Sequence, residues 1–293
     1  MRNRRQHQQQ VEAFLQQSFG SRDWTFTLPP GSGNETYFAH SNEGGYFVKV
    51  GAYIERSIAM SDAGLTPPLL ASGNLADGTT VMVQPLITGR SPSPKDYQQH
   101  VEQIASLLGN MHHDPHVMGT LPRPTSELHK DGALRALAYV QQQWSIYKGF
   151  VPDGADYIET ALIHLEQDAK HLPGTGLVAS HGDFCNANVL ITSEGKLYII
   201  DLELMSLDDP ALDLGAVLWW YYPPEMRRHF IEAAGYEDTP ELRHRTRVRM
   251  SLHCLCAALP RPTGFDTLDP TSYSERLADF RAVFEGKENP QGY

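Results

Sequence analysis

Two different spacings of apolar residues divide the chain near residue 90. Before that point, apolar residues alternate with polar ones or form short β-rich runs, which is typical of strands. We predict strands at residues 24–28, 35–40, 45–50 and 81–85, arranged around one helix. The polar, glycine-containing segment 41–45 predicts a hairpin turn between the second and third strands. The N-terminal part is therefore expected to be a small β-rich lobe.

From Ser93 onward the apolar spacing becomes helical. Ser93 can cap the first predicted helix, Pro94 suits its first turn, and Asp96 lies near the positive end of its dipole. One face of this helix carries Tyr97, Val101, Ile104, Ala105, Leu108 and Met111. Further helices are predicted at residues 132–148, 156–172, 211–222, 225–234, 240–258 and 273–285. The C-terminal part is therefore expected to be mainly helical.

A strand-rich segment, residues 176–204, interrupts these helices and holds the densest polar chemistry. Strands are predicted at residues 177–179, 189–191 and 197–200, with a turn at residues 192–196. The predicted fold class is therefore α+β with two lobes. The expected domains are a small β-rich lobe, residues 1–88, and a larger, mainly helical lobe, residues 89–293.

The predicted hairpin brings two oxygen-bearing side chains together. If Leu190 pairs with Tyr198, Asn188 lies opposite Ile200 and beside Asp201 at the open end. An amide oxygen and a carboxylate, completed by phosphates and water, are hard ligands of the kind Mg²⁺ requires. The sequence therefore predicts a magnesium site at this end of the hairpin. Asp183, five residues before Asn188, is expected to face the same cavity.

Three spaced motifs carry a resemblance to a known family. They are His181-x-Asp183-x-x-x-x-Asn188, Ile200-Asp201-x-Glu203 and Asp209-Pro210-x-x-Asp213-Leu214. In this order they resemble the aminoglycoside phosphotransferase and choline kinase superfamily of small-molecule kinases. Asp183 or Asp201 alone would be read as a loop carboxylate capping a turn. The resemblance implies a kinase-like two-lobe fold, with ATP and Mg²⁺ as cofactors.

The resemblance also implies roles for the residues in these motifs. Asp183 would orient the substrate hydroxyl and accept its proton, while Asn188 and Asp201 would hold Mg²⁺ across the ATP phosphates. His181, also in the catalytic loop, is expected to brace that loop rather than to transfer protons. The further carboxylates are Asp213, expected to tie the loop down, and Glu203, which is either a metal or substrate contact or a solvated neighbour of the hairpin.

The N-terminal half supplies the residues expected to bind nucleotide. Glycines in Gly31-Ser32-Gly33-Asn34 would let backbone N–H groups approach phosphates, although this segment alone reads as a turn. Lys49 lies in the third strand, where kinases place the lysine that contacts the α- and β-phosphates. An outward surface charge is the alternative for Lys49. Its expected carboxylate partner is Glu55, with Asp62 as a second choice.

The segment that joins the two predicted lobes resembles the hinge against which adenine binds. Gln84 and Leu86 are the candidate contacts there, through backbone groups, and a buried strand end is the alternative interpretation. Because backbone contacts leave little trace in a sequence, the choice between ATP and GTP stays open.

Other polar and aromatic clusters are assigned structural roles. The aromatic run 219–222 could form a cage for a quaternary ammonium group, but helical spacing favours core packing. His112 and His113 are expected to pack, and Asp208 and Asp209 to form a turn. The four arginines at positions 243, 245, 247 and 249 are scattered around a helix, which favours a solvated face over a basic patch.

Composition narrows the functional class further. The net charge is −11, and residues 1–90 carry seven basic and seven acidic residues, so the acidic excess lies in the remainder. This imbalance disfavours nucleic acid as a partner and favours a cationic small substrate. The alternative interpretation is that the acidic excess only keeps the protein soluble. Three cysteines without disulfide or zinc spacing, and no signal-like or membrane-spanning run, predict a cytoplasmic protein.

The predicted function is therefore transfer of the ATP γ-phosphoryl group to a hydroxyl of a small molecule. Choline or ethanolamine, an amino sugar, a fructosamine and homoserine all remain open, with a cationic amino alcohol or aminoglycoside favoured by charge. The alternative is a nucleotide-binding pseudokinase without turnover, although Lys49, Asp183, Asn188 and Asp201 are all present. A protein kinase is disfavoured, because few residues separate Asp201 from Asp213.

Overall fold

A computed structural model describes residues 4–20, 22–29, 36–262 and 267–293. The helices are α1 (Arg4–Phe19), α2 (Ile54–Asp62), α3 (Pro94–Gln99), α4 (Val101–His113), α5 (Pro115–Gly119), α6 (His129–Tyr147), α7 (Ala155–Lys170), α8 (Ala211–Tyr221), α9 (Pro224–Ala233), α10 (Pro240–Ala258) and α11 (Pro270–Phe284). The strands are β1 (Thr25–Thr27), β2 (Thr36–Ser41), β3 (Gly44–Val50), β4 (Ala71–Asn74), β5 (Thr80–Pro85), β6 (Gly89–Arg90), β7 (Val178–Ser180), β8 (Val189–Thr192), β9 (Leu197–Ile199) and β10 (Ser206–Asp208). The α+β fold class expected from the sequence is thereby confirmed.

The chain forms two compact units. The first comprises Met1–Ser91, Asp114–Thr120 and Ala187–Leu204. The second comprises Pro92–His113, Leu121–Asn186 and Met205–Tyr293. The first change of unit falls after Ser91. The expected domain division between residues 88 and 89 stays a prediction.

The first unit is built on an antiparallel sheet with the strand order β1-β2-β3-β5-β4. The predicted hairpin between β2 and β3 is confirmed, with Lys49 opposite Thr36 and Ser41 opposite Gly44. Gly44 has a φ of 148°, a value that favours glycine in this turn. The sheet core is completed by Val11 and Leu15 of α1, both fully buried. The sequence did not predict α1, because its Arg- and Gln-rich composition leaves few apolar positions.

A second, three-stranded sheet belongs to the same unit. Its order is β6-β8-β9, and Leu190 pairs with Tyr198 as the sequence predicted. Two sets of hydrogen bonds explain why this late hairpin joins the first unit. Gly89 and Arg90 pair with β8, and the Ile199 N–H donates to the Leu65 carbonyl at 2.7 Å.

The second unit is mainly helical and surrounds its own apolar core. This core is formed by α6, α7, α8, α10 and α11, with Leu137, Ile158, Leu255 and Phe280 among its buried side chains. The expected cap at Ser93 is present at the start of α3, where Ser93 and Asp96 bond each other reciprocally in a capping box. The single long helix predicted there is interrupted at His100, which separates α3 from α4. Tyr97 and Met111 are nevertheless both fully buried, as one apolar face requires.

A short antiparallel pair, β7 with β10, completes the second unit and leads into the polar loop at residue 181. Within the described ranges, none of the helices is both long and apolar enough to cross a bilayer.

Candidate active site

Asn188 and Asp201 flank the β8–β9 hairpin in the first unit. The backbone N–H of Ile200 donates to the Asn188 carbonyl at 2.9 Å, which extends the predicted pairing by one residue. Asn188 is buried. Asp201 has a φ of 61° and lies in the left-handed region that non-glycine residues rarely adopt. Such strained positions concentrate at functional sites, so the backbone conformation supports Asp201 as a candidate functional residue.

Lys49 of β3 is the centre of charge in this unit. Its Nζ lies 3.1 Å from Asp201 Oδ1 and 2.6 Å from Glu203 Oε1. Burial lowers the pKa of Lys49, but the hydrogen bonds and attraction from Glu203 and Asp201 outweigh this effect. The pKa is therefore raised above its usual value, and the ammonium stays charged. Glu203, expected to be either a metal or substrate contact or a solvated neighbour of the hairpin, is paired with Lys49 in the structure.

The expected ion pair of Lys49 with Glu55, or with the second choice Asp62, was wrong. Lys49 is paired with Asp201 and Glu203 instead. Glu55 is exposed in the first turn of α2, whose buried face is formed by Arg56, Ser57 and Met60. Helical geometry turns neighbouring residues to different faces, so Arg56 rather than Glu55 points inward. The carboxylates that Lys49 contacts come instead from the segment after β9.

The oxygen donors of the first unit match the ligand preference of Mg²⁺. An amide from Asn188 and carboxylates from Asp201 and Glu203 are hard ligands. Both carboxylates already converge on one cation, the Lys49 ammonium, which shows that this backbone can direct them to a shared positive charge. Within the described residues no group of three or more His, Cys, Asp or Glu side chains is arranged around a common point. Phosphates and water would therefore have to complete the coordination.

The catalytic-loop candidates lie in the second unit, where Asp213 organises them. Asp213 is buried in the first turn of α8. Its Oδ2 accepts from the Ser180 hydroxyl at 2.9 Å and from the His181 N–H at 2.7 Å, and its Oδ1 accepts from the Gly182 N–H at 2.9 Å. Gly182 has a φ of 80°, which favours glycine between His181 and Asp183. This carboxylate thus fixes the backbone immediately before Asp183.

His112 completes the set of groups around Asp213. Its Nε2 lies 3.0 Å from Asp213 Oδ2, and its Nδ1 lies 2.7 Å from the Tyr236 hydroxyl. Burial raises the pKa of the Tyr236 phenol, which therefore keeps its proton beside the His112 ring. The sequence assigned His112 only a packing role, because nothing local indicates its partner 101 residues away.

The Asp213 carboxylate is held in its charged form. Burial would raise its pKa, but the hydrogen bond and charge of His112, together with the His181 ring and the His181 backbone N–H, outweigh that effect. The pKa of Asp213 is therefore below its usual value.

His181 braces the loop through its ring as well as its backbone. The ring is fully buried, and its Nδ1 accepts from the Asp183 N–H at 3.3 Å. Asp183 itself is partly exposed and lies within electrostatic range of His253 and Tyr221. Burial lowers the pKa of His253, which favours its neutral form beside the loop. The structure thus brings His181, Asp183 and Asp213 together, as the motif spacing indicates.

Aromatic residues form the wall beside this loop. Tyr221 stacks on Tyr97 with a ring-centroid distance of 3.8 Å, and its hydroxyl accepts from the Asn186 N–H at 2.8 Å. Trp219, Tyr221 and Tyr222 are buried, as packing predicts. Their arrangement offers no set of four exposed rings for a cage.

The candidate nucleotide contacts of the first unit are only partly described. Gly31, Gly33 and Asn34 lie outside the described residues. Gln84 is buried, and its side-chain amide donates to the Pro67 carbonyl at 2.6 Å. The Leu86 N–H donates to the Gly45 carbonyl at 2.9 Å, so that donor is used inside the sheet.

Two arginines predicted to be solvated are buried instead. Arg245 pairs with Asp209 at 2.9 Å, and Arg249 pairs with Asp208 at 3.2 Å. The expectation of a solvated face was wrong for these two arginines. Asp209 does form the expected turn, because its Oδ1 accepts from the Ala211 N–H at 2.9 Å, and both aspartates also carry a buried ion pair. A sequence does not reveal which charges will meet across a fold, and buried charges require such partners.

The fold and these two clusters define a kinase-like phosphotransferase. The sequence model of the phosphotransferase enzyme family matches residues 25–248. The chain belongs to this family and is a small-molecule kinase.

Solved structures with the same fold extend over nearly the whole chain. Choline kinase LicA from Streptococcus pneumoniae is 16% identical, with a TM-score of 0.63 and coverage of 96% of this chain and 98% of that one. A choline/ethanolamine kinase family protein from Mesorhizobium loti is 16% identical, with a TM-score of 0.68 and coverage of 95% and 94%. Spectinomycin phosphotransferase APH(9)-Ia, solved with ADP and spectinomycin, is 17% identical, with a TM-score of 0.61 and coverage of 97% and 95%.

Proposed function

We propose that this protein transfers the γ-phosphoryl group of ATP to a hydroxyl group of a small molecule in a Mg²⁺-dependent reaction. The observation that carries the proposal is the ion pair between Lys49 and Asp201, which are 152 positions apart in the chain. A strand lysine and a carboxylate that follows a hairpin are the groups that kinase-like enzymes use at the phosphates and the metal. Membership of the phosphotransferase family supports the same assignment.

The first unit supplies the proposed nucleotide contacts. Lys49 is the proposed donor to the α- and β-phosphate oxygens, and Gly31, Gly33 and Asn34 are the proposed source of backbone N–H groups for the phosphates. For adenine, the Leu86 carbonyl and the Ile87 N–H are the proposed contacts, since neither makes a hydrogen bond within the described part of the chain. Gln84 supports this segment from inside through its bond to Pro67.

Asn188 and Asp201 are the proposed metal ligands, with Glu203 as a third oxygen donor. Bound Mg²⁺ would neutralise charge that develops on the phosphate oxygens during transfer. The Lys49 ammonium, already placed between Asp201 and Glu203, would add a second positive charge on the same side of the phosphates.

Asp183 is the proposed general base. The acceptor hydroxyl gives its proton to an Asp183 carboxylate oxygen while its own oxygen bonds to the γ-phosphorus. The bond from that phosphorus to the bridging oxygen breaks, and ADP leaves. Asp213 holds the loop through the Gly182 and His181 N–H groups, and His181 braces Asp183 through its ring nitrogen.

The proposed acceptor is a cationic amino alcohol or amino sugar. Structural neighbours include a choline kinase and a spectinomycin phosphotransferase, and both choline and spectinomycin carry a hydroxyl group and a basic or quaternary nitrogen. The acidic excess of residues 91–293 favours a cation electrostatically. We place the reaction in the cytoplasm, which supplies ATP and keeps the three free thiols reduced.

An ATP-consumption screen tests the proposal. Purified protein with Mg²⁺ and ATP would be offered amino alcohols, aminoglycosides, fructosamines and homoserine, with Asp183→Asn as the matched inactive control. We expect acceptor-dependent ADP release in the wild type and loss of that release in the variant. Mg²⁺-dependent ATP binding without turnover on any acceptor would favour the pseudokinase alternative instead.

A further inference from the structure

Arg56 is a buried arginine in the first unit that the proposed mechanism does not use. It lies on the inward face of α2 and is 5% exposed. Within the described residues, no carboxylate lies within ion-pair distance of its guanidinium. Burying a charge without a counter-charge is costly, so a site that keeps one needs a reason beyond packing.

The hydrogen bonds of Arg56 all reach one short segment. Its Nη1 donates to the Leu202 carbonyl at 2.5 Å and lies 3.4 Å from the Glu203 carbonyl. These carbonyls belong to the residues that directly follow Asp201 and form a 3₁₀ turn, Leu202–Leu204. The guanidinium also packs on the Tyr53 ring, 4.4 Å from its centroid. Arg56 therefore fixes the backbone of this segment to the start of α2.

The segment that Arg56 holds carries both carboxylates that meet Lys49. Asp201 adopts a left-handed backbone that its residue type rarely keeps without outside support. Glu203 must turn its side chain toward Lys49 while its carbonyl lies beside Arg56. An anchor on the two carbonyls restricts the backbone torsions that aim both side chains.

We propose that Arg56 is a positioning residue that holds Asp201 and Glu203 in the geometry required at the metal and at Lys49. Arg56 donates to backbone carbonyls of residues 202 and 203. It thereby connects α2 to residues 201–203, the metal-ligand segment, without contacting the carboxylates themselves. Arg56 thus occupies the inward face of α2, where the sequence analysis expected Glu55 to meet Lys49. The inference rests on the proposed function where it is tested by Mg²⁺ binding. Its test by hydrogen exchange, without metal or nucleotide, does not depend on the proposed function.

The structural readout is hydrogen exchange of the protein without nucleotide or metal. Arg56→Met keeps a similar apolar volume and removes the donors, while Arg56→Lys keeps the charge but loses the forked geometry. Arg22→Met is the matched control. Arg22 also belongs to the first unit, lies 5.9 Å from the Phe19 and Trp24 ring centroids, and bonds Tyr46 and Glu43 rather than the metal-ligand segment. We expect about tenfold faster exchange in residues 199–204 of both Arg56 variants and no change there in Arg22→Met.

The second readout is the Mg²⁺ response of ADP binding, measured by calorimetry. Loss of an interaction that orients a metal ligand typically weakens metal affinity about 10- to 100-fold, so the Mg²⁺ concentration for half-maximal enhancement should rise by that factor. Binding of ADP without Mg²⁺ should stay within about threefold of wild type, since Lys49 is held by its own strand.

The outcomes separate the inference from the proposed function. If Arg56→Met does not fold, Arg56→Lys decides both readouts. Unchanged exchange and an unchanged Mg²⁺ response in a folded Arg56 variant would overturn the inference, and so would equal effects in Arg22→Met. If the wild type itself shows no Mg²⁺ response, the proposed function fails, while the exchange measurement still decides the role of Arg56.

Discussion

Lys49 is the residue on which the proposed nucleotide site of the first unit most depends. We predict that Lys49→Ala weakens Mg·ATP binding about 10- to 100-fold, because one hydrogen bond to a charged group contributes about 1.5–3 kcal/mol. Lys196→Ala is the control, since this exposed lysine lies in the β8–β9 turn of the same unit and its ammonium lies over the Tyr198 ring. Calorimetry measures both affinities. Undiminished Mg·ATP affinity in Lys49→Ala would remove this lysine from the site.

Asp201 and Asn188 should differ in their effect on the metal. We predict that Asp201→Asn abolishes most of the Mg²⁺ enhancement of ATP binding, because the charged ligand is lost while asparagine still tolerates the left-handed backbone. Asn188→Ala should reduce the enhancement less, since one neutral amide disappears. A Mg²⁺ titration of nucleotide affinity compares the two variants. A full wild-type response in Asp201→Asn would contradict the metal assignment.

Asp213 links the catalytic loop to the stability of the second unit. Its pKa is lower in the folded protein than in the unfolded chain, so its stabilisation is present above the unfolded value of about 3.9 and is lost as the pH falls through the folded pKa. Asp213→Asn would turn an amide toward several donors, and we predict a loss of about 3–5 kcal/mol at pH 7. Urea unfolding of both proteins at pH 7 and at about pH 3 measures this. Equal pH dependence would show that Asp213 does not contribute.

At the scale of elements, α4 and α9 approach each other closely at Gly109. A Cβ built there would lie 2.4 Å from the Ala234 carbonyl oxygen, a backbone atom that cannot rotate away. We therefore predict that Gly109→Ala destabilises the protein by about 1–3 kcal/mol, the usual effect of overpacking. Gly119→Ala in α5 is the control, because its Cβ meets nothing within 4 Å. Thermal unfolding with similar midpoints for both variants would contradict this close packing.

The elements that could be predicted are those whose own residues determine them. The β8–β9 register, the cap at Ser93 and the helix at Pro240–Ala258 follow from local alternation, capping chemistry and apolar spacing. By contrast, α1 and β4 are stabilised by the neighbours they pack against or pair with. The composition of β4, which includes Ser, Gly and Asn, does not favour a strand, and it forms at the sheet edge by pairing with β5.

The same distinction holds within the candidate site. Asp183, Asn188 and Asp201 lie in motifs with fixed spacing, so the sequence alone was enough to propose roles for them. Arg56 and His112 could not, because each acts on a residue more than 100 positions away. Nothing in their local sequence distinguishes them from a surface arginine or a packed histidine.

At the scale of the whole molecule, the family and the motifs define the phosphoryl donor side better than the acceptor. The groups near Asp183, such as His253 and Tyr221, come from separate helices with no shared motif. The screen with amino alcohols, aminoglycosides, fructosamines and homoserine is therefore the experiment that identifies the acceptor.

The most direct test of the central claim is transfer of labelled phosphate from γ-³²P-ATP to an acceptor identified in the screen, measured in wild type and Asp183→Asn. Asparagine keeps the size of Asp183 and removes the negative charge that receives the proton. The account predicts that Mg·ATP affinity is nearly unchanged, while kcat falls about 10²- to 10⁴-fold, the usual range for general-base catalysis. Turnover within about threefold of wild type, far below that range, would contradict the claim that Asp183 is the base of a small-molecule kinase.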